Sequence, residues 1–504
     1  MTRTVVVLSA FALALLAPSA AHAAIDAELA QIRDEIRQMK EAYEARIHAL
    51  ERRLQDAEAR TAGATVSAGA QPAAPNTPNT PNTPSTPSAA SAASTTSTAS
   101  TGSTGSTGSA PAPLPVTAAT AGAPAGPSGL SAFNPAISAV LQGVYANLSQ
   151  DPDKYAIHGF VPSGDIAPAK RGFSIAESEL AFSASVDDKF AANLIFSLAP
   201  DNSVEVEEAY GIFTAVPNGF APKFGRFLSA IGYLNDQHQH VWDFFDAPLP
   251  YQAFLGGQFK SDGLQLKWVA PTDTFLEFGG EVGDGSSFPG TDRNKNGIGS
   301  GAVYVHAGDD IGTSSSWRAG LSYLQLRPND RQYTQTDVAG NLAQQSFSGK
   351  SQVAIADFVW KWAPNGNASS TNFKLQGEYF WRKENGDLTY DANGALGLTS
   401  TSNYSSRQHG WYVDGVYQFM PYWRVGARYD RLATGSVDYG ANGIYLAQES
   451  FNPQRYSVML DYTPSEFSRF RVQWQQSKIR PDLTDNQLFV QYILTIGAHG
   501  AHKF

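Results

Sequence analysis

The sequence contains no cysteine, which excludes a disulfide scaffold, a thiolate zinc site and cysteine nucleophilic catalysis. Charge is scarce as well. Only 16% of the residues are Asp, Glu, Lys or Arg, where a soluble protein carries about 25%. No run of about 20 apolar residues follows the amino-terminal stretch, so a helical membrane protein is not expected. The patterns G-x-S-x-G, H-E-x-x-H and the P-loop are missing, and nothing places His158 or His409 beside a nucleophile, so no enzyme is expected. A net charge of −10 gives no reason to expect a nucleic-acid partner. Aromatic and turn-forming residues are plentiful: 12% aromatic, with 45 Gly and 29 Pro in 504 residues.

The chain divides into four compositional segments. Residues 1–23 carry Arg3, an apolar core from Val5 to Leu16, and Ala-His-Ala at 21–23, the layout of a secretory signal peptide cleaved after Ala23. Residues 24–60 hold no Gly or Pro. Apolar side chains recur at Ile25, Leu29, Ile32, Ile36, Met39, Tyr43, Ile47, Leu50, Leu54 and Ala57, a heptad with one stutter near Tyr43. So narrow a stripe on a charged helix needs partner helices, and a parallel coiled coil about 50 Å long at 1.5 Å per residue is expected, preferably a homotrimer. A lone helix on a surface is the alternative. Residues 61–130, with PNTPNTPNTPSTP and STGSTGSTGS, cannot bury enough apolar area to order themselves and read as a disordered linker.

From 131 to 504 the apolar period becomes two. Phe373, Leu375, Gly377, Tyr379 and Trp381 alternate with Lys374, Gln376, Glu378, Phe380 and Arg382. Trp423, Val425, Ala427 and Tyr429 oppose Arg424, Gly426, Arg428 and Asp430. The same holds for residues 455–462 and 469–475. Each such strand has one apolar and one polar face. A soluble sandwich also alternates, so the connections decide. About 16 strands can be placed, and every second connection is short: Asp187–Lys189, Pro217–Gly219, Ala270–Asp273, Met420–Tyr422 and Thr463–Ser465. Long connections cover about 149–175, 229–262, 284–299, 328–350, 384–409 and 432–454. This pattern predicts an all-β transmembrane barrel of about 16 antiparallel strands in an outer membrane, with both termini in the periplasm.

The last strand, with Leu488, Val490, Tyr492, Leu494, Ile496 and Ala498 alternating before a terminal Phe504, resembles the sorting signal of bacterial outer-membrane barrels. The order of signal, coiled coil, Pro/Ser linker and strands resembles trimeric bacterial porins, nearest in layout to phosphate-selective porins and coiled-coil-prefixed dicarboxylate porins. That resemblance implies passive diffusion of small hydrophilic solutes or ions. It also implies contact with outer-membrane lipid and lipopolysaccharide, and insertion by the barrel-assembly machinery of a Gram-negative bacterium. KFGRFLSAIGYLNDQHQHVWDFFDAPLPYQAFLG (223–256) and GAHGAHKF (497–504) also resemble zinc-regulated outer-membrane receptors, sometimes labelled TonB-dependent. This adds metal uptake, or a receptor or adhesin anchored by a barrel, as alternatives. No plug-sized folded domain precedes the barrel, and roughly 374 residues are too few for the 22 strands of a TonB receptor.

Porins narrow their lumen with the third outside loop, here about 229–262, which carries Asp236, His238, His240, Asp243 and Asp246. Early strands place Glu177, Glu179, Glu205 and Glu207 on predicted lumen faces, and late strands place Arg424, Arg428, Arg455, Arg469 and Arg471 there. We expect a constriction with a transverse field, acidic on one wall and basic on the other. Simple solvation of these faces is the alternative. The loop has no arginine and only Lys260 near its end, so phosphate specificity does not carry over. No cofactor is required. Zn²⁺ is a possible bound or transported ion, with Asp236, His238, His240 and Asp243 as one candidate set and His499 with His502 as another. Asp292-x-Asn294-x-Asn296-Gly297 opens like a calcium loop, but position twelve is Val303, which favours an Asn/Gly turn.

Overall fold

The computed structural model describes residues 135–497 apart from 165, 293 and 294. The expected signal peptide, coiled coil and linker, together with His499 and His502, lie outside the described residues.

Strands that alternate in polarity cannot leave an open edge inside lipid, where nothing would satisfy the free backbone groups. This sheet closes: its first strand pairs antiparallel with its last, Ser138 opposite Gly497 and Leu148 opposite Gln487. Eighteen strand segments form the sheet. Two staves are each interrupted into two segments that pair the same neighbour, which leaves sixteen staves among the described residues. They are β1 Ala136–Leu148, β2 Gly172–Ile175 with Ser178–Ser185, β3 Phe190–Leu198, β4 Val204–Phe213, β5 Phe220–Leu228, β6 Lys260–Val269, β7 Phe275–Gly283 and β8 Ser300–Ile311. There follow β9 Ser315–Leu326 with Arg331–Thr336, β10 Leu342–Trp362, β11 Asn372–Tyr390, β12 Ser400–Met420, β13 Trp423–Asp438, β14 Gln454–Ser465, β15 Ser468–Arg480 and β16 Leu483–Gly497. One short helix, α1 Leu249–Leu255, lies in the connection between β5 and β6.

The faces are those the alternation predicts. Leu264, Leu321, Val425, Val458, Leu460, Val472 and Val490 are exposed on the outside, while their strand neighbours Arg428, Arg455, Arg471 and Gln473 are buried within. An exposed apolar band around a polar interior suits lipid outside. Aromatic pairs ring the outside near the short turns, among them Phe190–Phe213 at 4.2 Å, Phe470–Tyr492 at 4.5 Å and Trp423–Tyr462 at 4.6 Å. A second set near the other rim includes Trp411–Tyr429 and Tyr429–Tyr456. Amphipathic rings gather at lipid–water boundaries.

Short turns are built as the sequence suggests. The Asp187 carboxylate accepts hydrogen bonds from the Lys189 and Phe190 N–H groups. Gly219 has φ +80°, and a Cβ there would stand 2.4 Å from the Val269 carbonyl oxygen. Two expected outside loops are corrected. Most of 328–350 and 384–409 is strand, because β9 to β12 continue as tall hairpins. Their outward faces are polar, with Thr389 bonded to Thr401 at 2.8 Å, and this polarity reads as loop. Their inward faces carry Tyr333, Phe347, Leu388, Tyr390 and Tyr404 in a buried cluster. The turn expected at Thr463–Ser465 belongs to the end of β14.

Candidate functional site

The loop 229–259 joins β5 to β6 and folds into the lumen. Its composition explains why. Ile231, Leu234, Trp242, Leu249, Tyr251, Phe254, Leu255 and Phe259 would otherwise meet water; folded inward, all are buried. They pack with Ile157 and Phe160 of the preceding outside loop and with Leu324, Leu326, Val353, Ile355, Phe380 and Leu432 of β9, β10, β11 and β13. Each large apolar side chain fully buried contributes about 1.5–3 kcal/mol.

Polar anchors set the path of this strap. The Glu281 carboxylate accepts from Ser229 Oγ at 2.6 Å and from the Ala230 N–H at 2.9 Å. Glu378 accepts from the Tyr233 and Leu234 N–H groups at 3.1 and 3.2 Å and from the Tyr251 and Tyr412 hydroxyls at 2.9 and 2.6 Å. The Asn235 amide closes the base of the loop by donating to the Ser229 and Phe259 carbonyls at 2.7 and 2.9 Å.

Beyond these anchors the strap reaches the acidic wall. His238 Nδ1 lies 3.2 Å from Glu207 Oε2, and its Nε2 lies 3.2 Å from Glu208 Oε2. His240 Nδ1 lies 2.7 Å from Glu179 Oε1. Glu177 accepts from Ser197 Oγ at 2.5 Å beside this group. Glu208 was not among the expected residues. A bulge opposite Ile195 and Phe196 leaves Glu207 unpaired in the register, so two consecutive carboxylates are buried against the strap. Strict alternation sends one of them outward, and no local signal marks the bulge. Glu205, expected at the constriction, is instead exposed near the outer end of β4, 3.8 Å from Lys260.

A few residues later the strap meets the basic wall. Asp243 pairs with Lys374 and, at 2.9 Å, with Arg424. Asp246 pairs with Arg428 at 3.0 Å and with Arg455. Arg471 donates to the Trp242 carbonyl at 2.7 Å and pairs with Asp461 at 2.9 Å. Arg469 donates to the His240 carbonyl at 3.2 Å. Lys374 and Glu378 stood on the polar face of an alternating stretch; their loop partners were not readable there. Asp236 lies half-buried on the same loop.

The strap stands between the two walls of the expected transverse field. The two walls carry opposite charge, but the strap presents imidazoles to one and carboxylates to the other. An unpaired charge held away from water costs several kcal/mol, so complementary docking replaces open opposition. Burial disfavours the His238 cation, yet Glu207 and Glu179 outweigh it and hold its pKa well above the ordinary value. Burial likewise opposes the Asp243 anion, but Lys374 and Arg424 hold its pKa below the usual carboxylate range. Arg428 and Arg455 do the same for Asp246.

The first metal set is divided between the two walls. Asp243 is held by Lys374 and Arg424, on the other wall from His238. Atoms of Glu179, Glu207 and His238 suited to a metal do gather within 4.8 Å. Both nitrogens of His238 lie 3.2 Å from carboxylates, an arrangement that an imidazolium satisfies by donating twice. Asp292 belongs to the outside loop 284–299, in which 293 and 294 lie outside the described residues.

The apolar filling spares β3 to β5. Wall residues of its main cluster come from β8 to β13 and from β15, and Phe245 of the strap packs against Val144, Ala146 and Leu148 of β1 and Phe489 of β16. On the opposite side the Asn193 amide donates to the Tyr210 hydroxyl at 2.9 Å, and Lys223 Nζ stands 4.2 Å over the Tyr210 ring.

No protein-family profile matches the chain. A protein of Aquifex aeolicus described only as uncharacterized is 29% identical over 402 residues, covering 74% of this chain and 80% of its own. Among solved structures, the trimer form of OmpT from Vibrio cholerae aligns with TM-score 0.45 and 10% identity over 72% of this chain and 99% of its own. The outer-membrane channel DcaP of Acinetobacter baumannii aligns with TM-score 0.43 and 13% identity over 71% and 96%. The anion-selective porin of Comamonas acidovorans aligns with TM-score 0.41 and 9% identity over 72% and 99%. The closed barrel rests on the strand pairing of this chain itself.

Proposed function

We propose that this protein is a non-enzymatic, porin-type channel of an outer membrane, passing small hydrophilic solutes or ions passively along a narrow route. One observation carries the reading. A single loop crosses the lumen, is pinned by charge to both walls, and packs its apolar residues away from β3 to β5. The route runs beside β3 to β5, past Asn193, Tyr210 and Lys223, where the apolar cluster has no wall residues. The heptads of 24–60 support self-association, with a homotrimer as the preferred assembly. Selective uptake of zinc would require His238 to lose a proton before it could act as a ligand, and it is not part of this reading.

Planar-bilayer recording of the purified protein tests it. Small ohmic steps are expected, and Lys223→Glu should move the reversal potential in a potassium chloride gradient toward cation preference. Binding of a ligand with no steps at any voltage would favour the receptor or adhesin reading instead, which the packed strap would then serve as a seal.

A further inference from the structure

His306 differs from His238 in a way that matters chemically. Its Nδ1 lies 3.0 Å from Glu277 Oε1, so the carboxylate receives the Nδ1 proton and fixes the ring. Its Nε2 is buried with no hydrogen-bond partner, and the residue is 2% exposed. Asp357 is buried at 4% exposure, and neither of its carboxylate oxygens has a hydrogen-bond partner. These two orphaned groups share a site. Gly320 on β9 is the cross-strand partner of His306 on β8 and of Asp357 on β10. A Cβ at Gly320 would stand 2.1 Å from Asp357 Oδ2 and 2.8 Å from His306 Cδ2. Both side chains therefore lean over a stave residue that offers no side chain of its own.

A buried carboxylate without donors is costly, and so is a buried imidazole nitrogen without a partner. A cation resolves both. The chemistry is that of a carboxylate–histidine–metal relay: one ring nitrogen oriented by a carboxylate, the other presented as a lone pair, and an anionic oxygen beside it. Nearby charge agrees in sign. Glu277 and, across the pair, Glu378 add negative charge to Asp357. Lys267, 4.0 Å from Glu277, and Arg318 on β9 oppose it. Arg318 is turned toward the strap, with its guanidinium 5.1 Å over the Tyr233 ring.

We propose that Asp357 and His306 Nε2 form a binding site for a first-row divalent transition cation in the lumen wall, with Glu277 as its positioning residue and water completing the coordination. Mixed nitrogen and oxygen donors suit such ions better than they suit Mg²⁺ or Ca²⁺.

The test uses the full-length protein in detergent, titrated with Co²⁺ and followed both by its visible absorption and by calorimetry, with Mg²⁺ as the hard-ion control. One equivalent should bind, and Asp357→Asn and His306→Gln should each abolish it. Glu277→Gln should weaken it by about 10–100-fold. Gly320→Ala should remove it by steric intrusion while leaving both ligands in the sequence, and His158→Gln, at a distant rim pair, should leave it unchanged. Far-UV circular dichroism selects the variants that fold. Equal Co²⁺ binding by the wild type and by folded Asp357→Asn or Gly320→Ala would overturn the assignment and leave the orphaned atoms to water. So would a Co²⁺ response lost on His238→Gln and kept on His306→Gln.

Discussion

Glu378 gathers four donors from three elements: two backbone N–H groups of the strap, the α1 hydroxyl of Tyr251 and the β12 hydroxyl of Tyr412. Replacing it with Gln keeps the volume but leaves one acceptor oxygen where two served. Glu378→Gln should therefore cost about 1–3 kcal/mol, read as a lower unfolding temperature and faster proteolysis within 229–259. Tyr412→Phe removes the bond donated to Glu378 and the one accepted from Gln376 Nε2, and should cost about 1–3 kcal/mol on the same assays. The ionic ends of the strap respond to pH in opposite directions. His238 has a raised folded pKa, so its stabilisation is fully present below the unfolded value of about 6.5 and is lost as pH rises through the folded value. Asp243 and Asp246 have depressed folded values, so theirs is present above about pH 3.9 and is lost only as pH falls through the folded values. Alkaline conditions should thus free the His238 end alone. Current fluctuations recorded from pH 6 to 10 should increase in the wild type and stay flat in His238→Gln; an identical rise in both would remove His238 from the explanation.

At the scale of the element, the strap is a segment whose two ends carry different chemistry. His238 and His240 reach β2 and β4, while Asp243 and Asp246 reach β11, β13 and β14. Deleting residues 236–247 removes both contacts and the middle of the crossing but leaves the Glu378 and Glu281 anchors. Single-channel conductance should rise several-fold, with the barrel still resistant to denaturation at room temperature. An unchanged conductance would mean that the limiting constriction lies elsewhere. The tall hairpins of β9 to β12 follow a different logic. Their inward aromatic cluster, with Tyr390 stacked on Tyr445 at 4.4 Å, keeps strand pairing going beyond the apolar band, so they behave as wall where loops were expected.

For the whole molecule, closure of the sheet matters more than any single contact, because every stave has a neighbour on each side. Self-association and permeation should therefore separate. A chain lacking residues 24–130 should show the same conductance per barrel, while chemical cross-linking should give a trimer band for the full chain and none for the shortened one. Persistence of that band would move the association surface onto the barrel wall.

Most strand positions, their inward and outward faces and the polarity of the lumen were legible in the sequence, since they depend on a period of two that a few neighbouring residues express; the upper halves of β9 to β12 and the bulge at Glu207 were not. Trp423–Asp430 and Arg469–Gln475 point as their alternation says. Partners were not legible. Asp246 meets Arg428 at a sequence separation of 182, and Tyr233 meets Glu378 at 145; which of several lumen charges receives a loop residue is settled only when the sheet has closed. The bulge at Glu207, the imidazolium role of His238 and the convergence of His306 and Asp357 over Gly320 likewise arise from register between strands. Local periodicity therefore determined the barrel, and long-range register together with the cost of burying unpaired charge decided what fills it.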